Sequence, residues 1–177
     1  ECLPGTNVGY AGGANRVVAE LRGHADFVLV LNPDVVLDTT FSESLLGAAS
    51  AESNVAIATG KLLRPGRDLI DSAGIVFPRH RRPRDRGSEQ RDAGQFNAQE
   101  RVEGASGAAM LIRETAIDEL TIEGELFDET FFAYHEDTDL CWRARRLNFE
   151  ILYVPTAVAV HERGWRKGRR RSVPVMI

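Results

Sequence analysis

The sequence predicts an α/β domain, and three stretches carry that expectation. "DFVLVLN" (26–32) is an unbroken apolar run closed by Asn-Pro-Asp, the pattern of a strand buried on both faces as in a parallel sheet. "NVAIATG" (54–60) is a second such run. Between them Thr39 or Thr40 can cap a helix that carries Phe41, Leu45 and Leu46. Strand, helix, strand is the order in which an α/β sheet is built. At 177 residues, 43% hydrophobic and 27% charged, the chain suits one soluble domain with a sizeable core.

The other elements follow along the chain. "NVGYAGGANR" (7–16) holds three glycines and two asparagines and leads into a short helix over 13–22, with Val17, Val18 and Leu21 on one side. Residues 64–101 break the pattern. Arg64, Arg67, Arg79, Arg81, Arg82, Arg84, Arg86 and Arg91 crowd an apolar-poor stretch that reads as a solvated loop, of a length that lids and binding loops also have. "GASGAAMLIRE" (104–114) runs from a glycine turn into a strand, and a short helix follows near Thr115 to Leu120. "HEDTDLCWRARRLN" (135–148) places Leu140, Ala144 and Leu147 at helical spacing. Two short strands, "EILYVP" (150–155) and "AVAVHE" (157–162), precede a basic tail.

Composition narrows the function. A net charge of −4 argues against a nucleic-acid binder, and the arginine-rich stretch has just Phe77 and Phe96, near its ends, for stacking. Cys2 and Cys141 are too few and too far apart for a disulfide framework, so a reducing cytosol is the simpler compartment. No apolar run approaches a membrane span and no signal peptide is visible. The tail sets Arg163, Arg166, Lys167, Arg169, Arg170 and Arg171 around Trp165, either as solvated charge or as a dock for an anionic membrane surface.

Four places could carry chemistry. The glycine turn at a helix start reads as a capped surface loop or as an anion site, although its spacing matches neither common nucleotide fingerprint. Asn32 and Asp34 end a buried strand and should project at the carboxyl edge of the sheet, where open α/β sheets bind ligands. A strand-ending Asx turn explains the same residues; so does a hard divalent cation bound mainly through phosphates, which needs one or two protein carboxylates. "FDETFFAYHEDTDLCWRAR" puts Asp128, Glu129, Glu136, Asp137 and Asp139 within twelve residues, with the aromatics Phe131, Phe132 and Tyr134 just before Glu136 and Asp137. Helix-dipole stabilisation accounts for Glu136 and Asp137 as first-turn acids, and a general base beside an apolar wall is the alternative. His161 closes a strand, and its pairing with Asp34 is not readable from spacing.

In order, "NVGYAGGANR", "LVLNPDVVL", "VEGASGAAMLIRE", "FDETFFAYHEDTDLCWRAR" and "YVPTAVAVHERG" resemble family 2 glycosyltransferases, close to the rhamnosyltransferase-like branch, and span residues 7 to 164. The resemblance implies a GT-A-type, Rossmann-like fold: a mixed, mainly parallel sheet flanked by helices. Residues 1–164 would be the catalytic domain and 165–177 the basic tail. Family members begin with a strand, a helix and a second strand that hold the nucleobase. That segment is not among these 177 residues, so the domain is expected to be N-terminally truncated. Asn-Pro-Asp stands where many relatives have Asp-x-Asp.

What the resemblance implies for function is an inverting transfer from a nucleoside diphosphate-sugar, dTDP-rhamnose being one such donor, to a hydroxyl of a saccharide or lipid-linked saccharide. Mg²⁺ or Mn²⁺ would be held by Asp34, with His161 a later ligand. Asp137 would be the base, with Glu136 the fallback. Asn7, Gly9, Gly13, Asn15, Asn32, Asp34, Ser106 and Gly107 would line the donor pocket. The enzyme would be cytoplasmic, at most peripheral on the inner face of the membrane. A non-catalytic nucleotide-sugar binding domain would keep the same turn and Asp34 without a working base.

Overall fold

A computed structural model describes residues 7–80 and 82–163. Helix α1 (Gly9–Leu21) leads to strands β1 (Phe27–Leu31) and β2 (Val35–Leu37), separated only by the Asn-Pro-Asp turn. Helix α2 (Phe41–Ser50) precedes the long β3 (Val55–Leu63). The arginine-rich stretch holds four short strands: β4 (Ile70–Ser72), β5 (Ile75–Val76), β6 (Arg84–Asp85) and β7 (Glu100–Arg101). Then come β8 (Ala109–Arg113), the short α3 (Ile117–Leu120), α4 (Glu136–Arg146) and β9 (Glu150–His161).

The main sheet runs β1-β8-β3-β9-β2, with β4 added beside β3 and β7 beside β9. Helices cover both faces. Alternation along β3 feeds two cores: Ile57 packs with Val18, Met110, Leu140 and Ala144 on the α1/α4 side, and Ala58 with Phe41, Leu45 and Leu152 on the α2 side. All nine residues of β3 are buried. The α/β class and the mixed sheet are as expected. "Mainly parallel" is corrected: among the described residues β3–β9 is the parallel ladder, and the β1–β8, β2–β9, β3–β4, β3–β8 and β7–β9 ladders are antiparallel. An unbroken apolar run reports burial on two faces; it does not report the direction of the neighbouring strand.

Two element boundaries and the arginine-rich stretch also differ from the sequence reading. The two closing strands are one strand, β9, whose register against β3 jumps between the Gly60–Val154 and Lys61–Val158 pairs. Pro155 has no N–H for the ladder, so the strand bulges there without ending. Helix α1 begins four residues early and takes the glycines into its first turns. The arginine-rich stretch is tied down: Arg67 pairs with Asp38, Arg86 with Glu100, and Arg86 also lies over the rings of Phe96 and Tyr153 at 4.7 and 4.9 Å. Buried Lys61 holds Asp92 at 2.9 Å beneath it. Arg113 donates from Nε to the Val55 carbonyl and from Nη2 to those of Ala49 and Glu52, closing the carboxyl end of α2.

Candidate active site

Strand pairing brings together two residues that are distant in sequence. The β2–β9 register sets Val35 opposite His161, and Glu162 N–H donates to the Asp34 carbonyl at 2.8 Å. Asp34, one residue before β2, therefore meets the last residue of β9: its Oδ1 stands 3.3 Å from His161 Nε2. The other ring nitrogen, Nδ1, is 2.8 Å from Asp71 Oδ2. Asp71 lies on β4 and is 1% exposed. Its Oδ1 accepts from Arg163 Nε at 2.6 Å and faces Arg64 Nε at 3.3 Å. Burial pushes the Asp71 carboxyl up, but hydrogen bonds from His161 and Arg163 outweigh it and leave Asp71 below the usual carboxylate range. A cleft of about 880 Å³ opens beside this cluster, lined by His161, Arg163, Arg64, Arg84, Arg86 and Asp85.

The 106–108 turn carries the second half of the site. Asn32 N–H donates to the Ala108 carbonyl at 2.9 Å, so the end of β1 is fastened to the turn. The Gly107 peptide is then clamped from both sides: its N–H donates to Asp137 Oδ2 at 2.8 Å, and its carbonyl accepts from the Tyr10 hydroxyl at 2.6 Å. A Cβ on Gly107 would lie 3.2 Å from both Asp137 Cβ and Tyr10 Oη, a tight fit that glycine avoids. Asp137 Oδ1 accepts from the Thr138 N–H at 2.7 Å. Burial, then the charges of Asp137 and Glu136, push the Tyr10 phenol up, which keeps it a proton donor. Asp85 in the cleft is raised by burial first, with the charges of Asp71 and Asp137 adding to the rise.

Comparison with known proteins follows from this geometry. No family model matches the chain. It is 32% identical over 192 residues to the N-acetylglucosaminyl-diphospho-decaprenol L-rhamnosyltransferase of Mycobacterium tuberculosis, covering 93% of this chain and 59% of that protein. It is 30% identical over 164 residues to a low-salt glycan biosynthesis hexosyltransferase of Haloferax volcanii, covering 89% of this chain and 50% of that protein. The chain therefore spans between half and three-fifths of the length of these curated relatives. Among solved structures it superposes on GalNAc-T7 with UDP, GalNAc and Mn²⁺, with a TM-score of 0.65 and 10% identity over 87% of this chain and 30% of that one. The chain is a glycosyltransferase homologue with a GT-A fold.

In this glycosyltransferase homologue the glycine turn has protein partners. Gly9 has φ +75°, and a Cβ there would fall on the Phe132 carbonyl, which accepts the Tyr10 N–H at 2.8 Å. Gly9 N–H itself donates to Asn7 Oδ1 at 3.0 Å. Asn15 bonds the Phe127 carbonyl and N–H, both at 2.8 Å, and Glu129. Gly9 and Asn15 thus dock α1 against residues 127–132, and Asn7 holds the first N–H of the helix. Gly13 has open space where a side chain would be, and Ser106 is half-buried in the turn beside Gly107.

Glu136 is 5% exposed, and its Oε2 has no hydrogen-bond partner. Burial, with a smaller push from Asp137, raises its carboxyl to about 7. Just before it the backbone is strained: Phe132, Tyr134 and His135 all have left-handed φ, at 56°, 71° and 76°. Buried Cys141 is pushed up to about 12 by burial and is no nucleophile at neutral pH. Sequence reasoning missed Tyr10, Asp71 and Asp85. Tyr10 was signalled by a lone aromatic inside a glycine turn, and Asp71 by an acid inside the apolar phrase "LIDSAGIV". Of the basic tail, Arg163 alone lies within the described residues, and its pairing with Asp71 and Asp85 removes it from the free charges of that run. No helix among the described residues is long and apolar enough to cross a membrane.

Proposed function

We propose that this chain is the catalytic part of an inverting, metal-dependent glycosyltransferase that moves a sugar from a nucleoside diphosphate-sugar to a hydroxyl of a lipid-linked saccharide. Two observations support the reading: the Asp34–His161 pair, 3.3 Å apart, and the Gly107-bound Asp137, whose turn is fastened to the end of β1 by the Asn32–Ala108 hydrogen bond. The curated relatives named as a rhamnosyltransferase acting on a diphospho-decaprenol saccharide and as a hexosyltransferase point to the same chemistry, and dTDP-rhamnose is the donor we favour.

Among the described residues no group of three or more His, Cys, Asp or Glu is placed to hold a metal. Two donors nevertheless suit a cation that takes its other ligands from a diphosphate and water. Asp34 Oδ1 and His161 Nε2, 3.3 Å apart, are the two donors that would hold it. The structural neighbour with UDP and Mn²⁺ supports Mn²⁺, or Mg²⁺, as that cation. When bound, the metal would supply Lewis-acid stabilisation of the leaving diphosphate.

The chain's own residues do the rest. Asp137 takes the proton from the acceptor hydroxyl. The hydroxyl oxygen bonds to the anomeric carbon as the bond from that carbon to the diphosphate oxygen breaks, and attack from the opposite face inverts the configuration. The hydrogen bonds from Gly107 and from the Thr138 N–H and hydroxyl fix the Asp137 carboxylate, and Oδ2, which accepts from Gly107 N–H, keeps a lone pair for an incoming hydroxyl. Asn32, Ser106, Gly107 and Gly13 border the donor sugar. The basic tail, outside the described residues, would hold the protein at an anionic membrane where a lipid-linked acceptor resides. The test is a donor screen with the full-length protein and a lipid-diphosphate saccharide, read by mass spectrometry. Transfer with inverted configuration is expected. Donor binding without transfer would instead mark a non-catalytic nucleotide-sugar binding domain.

A further inference from the structure

We infer that Asp71 is a positioning residue: it accepts the Nδ1 proton of His161 and so turns the Nε2 lone pair toward Asp34. The inference rests on the metal reading above and deepens it. An ionised carboxylate only accepts hydrogen bonds, so the proton in the 2.8 Å contact between Asp71 Oδ2 and His161 belongs to Nδ1. In the neutral ring the Nε2 lone pair then faces Asp34 Oδ1 at 3.3 Å. Two electron-rich atoms that close repel unless a cation or a proton lies between them. Asp71 is held for this task. It is 1% exposed, sits on β4 beside the fully buried β3, and has both oxygens engaged. Arg163 at 2.6 Å and Arg64 at 3.3 Å balance its charge without competing for Oδ2. A carboxylate behind a metal-binding imidazole fixes its tautomer and orientation, and losing such a partner typically costs 10- to 100-fold in metal affinity.

Two measurements test this. In the full-length protein without metal, ¹⁵N NMR of the His161 ring, followed to the pH where the ring is neutral, should show a protonated Nδ1 and a bare Nε2. An Nε2–H tautomer of the neutral ring overturns the inference whether or not any variant folds. Mn²⁺ binding followed by electron paramagnetic resonance should then weaken about 10- to 100-fold in Asp71→Asn, with the His161 proton shared between the two nitrogens. His161→Ala should lose at least as much. If His161→Ala weakens Mn²⁺ binding and Asp71→Asn does not, Asp71 is merely structural. If neither does, the metal reading itself is wrong.

Discussion

Glu136→Gln should stabilise the protein at alkaline pH. Folding moves the Glu136 carboxyl from 4.5 to about 7, chiefly by burial. The folded state therefore binds this proton more tightly than the unfolded chain does. Its contribution is fully present below pH 4.5 and is lost as pH rises through 7. At about 1.4 kcal/mol per pH unit the loss is about 3 kcal/mol at most. Glutamine keeps the shape and never ionises, so it escapes that loss. Urea unfolding of both proteins from pH 4 to 8.5 isolates the effect, because every other titrating group is common to the pair. The expected result is a stability difference that moves toward the glutamine variant by about 2–3 kcal/mol across that range. A difference that is flat with pH, or one that moves toward the wild type, would refute the reasoning.

Three further outcomes follow from the site. Asp34→Asn should abolish Mn²⁺ binding while leaving stability within about 0.5 kcal/mol, since the residue is partly exposed at a strand end; paramagnetic resonance and thermal melts check both halves. Gly107→Ala should push on Asp137 Cβ and Tyr10 Oη, each 3.2 Å from the new methyl, and lower kcat on the order of 100-fold with little change in donor affinity. Gly9→Ala should destabilise by about 2–4 kcal/mol in denaturant titration, because it combines a left-handed φ with a clash against the Phe132 carbonyl.

Much of this site was legible in the sequence, and its gaps have physical causes. Asp34 was readable because Asn-Pro-Asp must end the buried strand that precedes it, and Asp137 because acids cluster at the start of a helix with clear periodicity. The link between Asp34 and His161 was not readable, since it depends on β2–β9 register across more than a hundred residues. Asp71 was hidden in a stretch whose arginines read as solvated, yet Arg64 and Arg163 are there to neutralise it. The start of α1 was placed late because glycines disfavour helix; the Phe132 carbonyl, delivered by a strained loop, caps the exposed N–H groups of that turn. Strand direction was misjudged because burial and pairing are separate properties, and β3 has a parallel neighbour on one side and an antiparallel one on the other.

The most direct test of the account is single-turnover transfer by the full-length protein and its Asp137→Asn variant, with Mn²⁺, a nucleotide sugar and a lipid-diphosphate saccharide. A general base is worth on the order of 10²- to 10⁴-fold in rate. The variant should therefore bind donor as the wild type does, transfer sugar slower by about that factor, and leave the configuration of the residual product inverted. Transfer at the wild-type rate by Asp137→Asn, or a product with retained configuration, would contradict the mechanism.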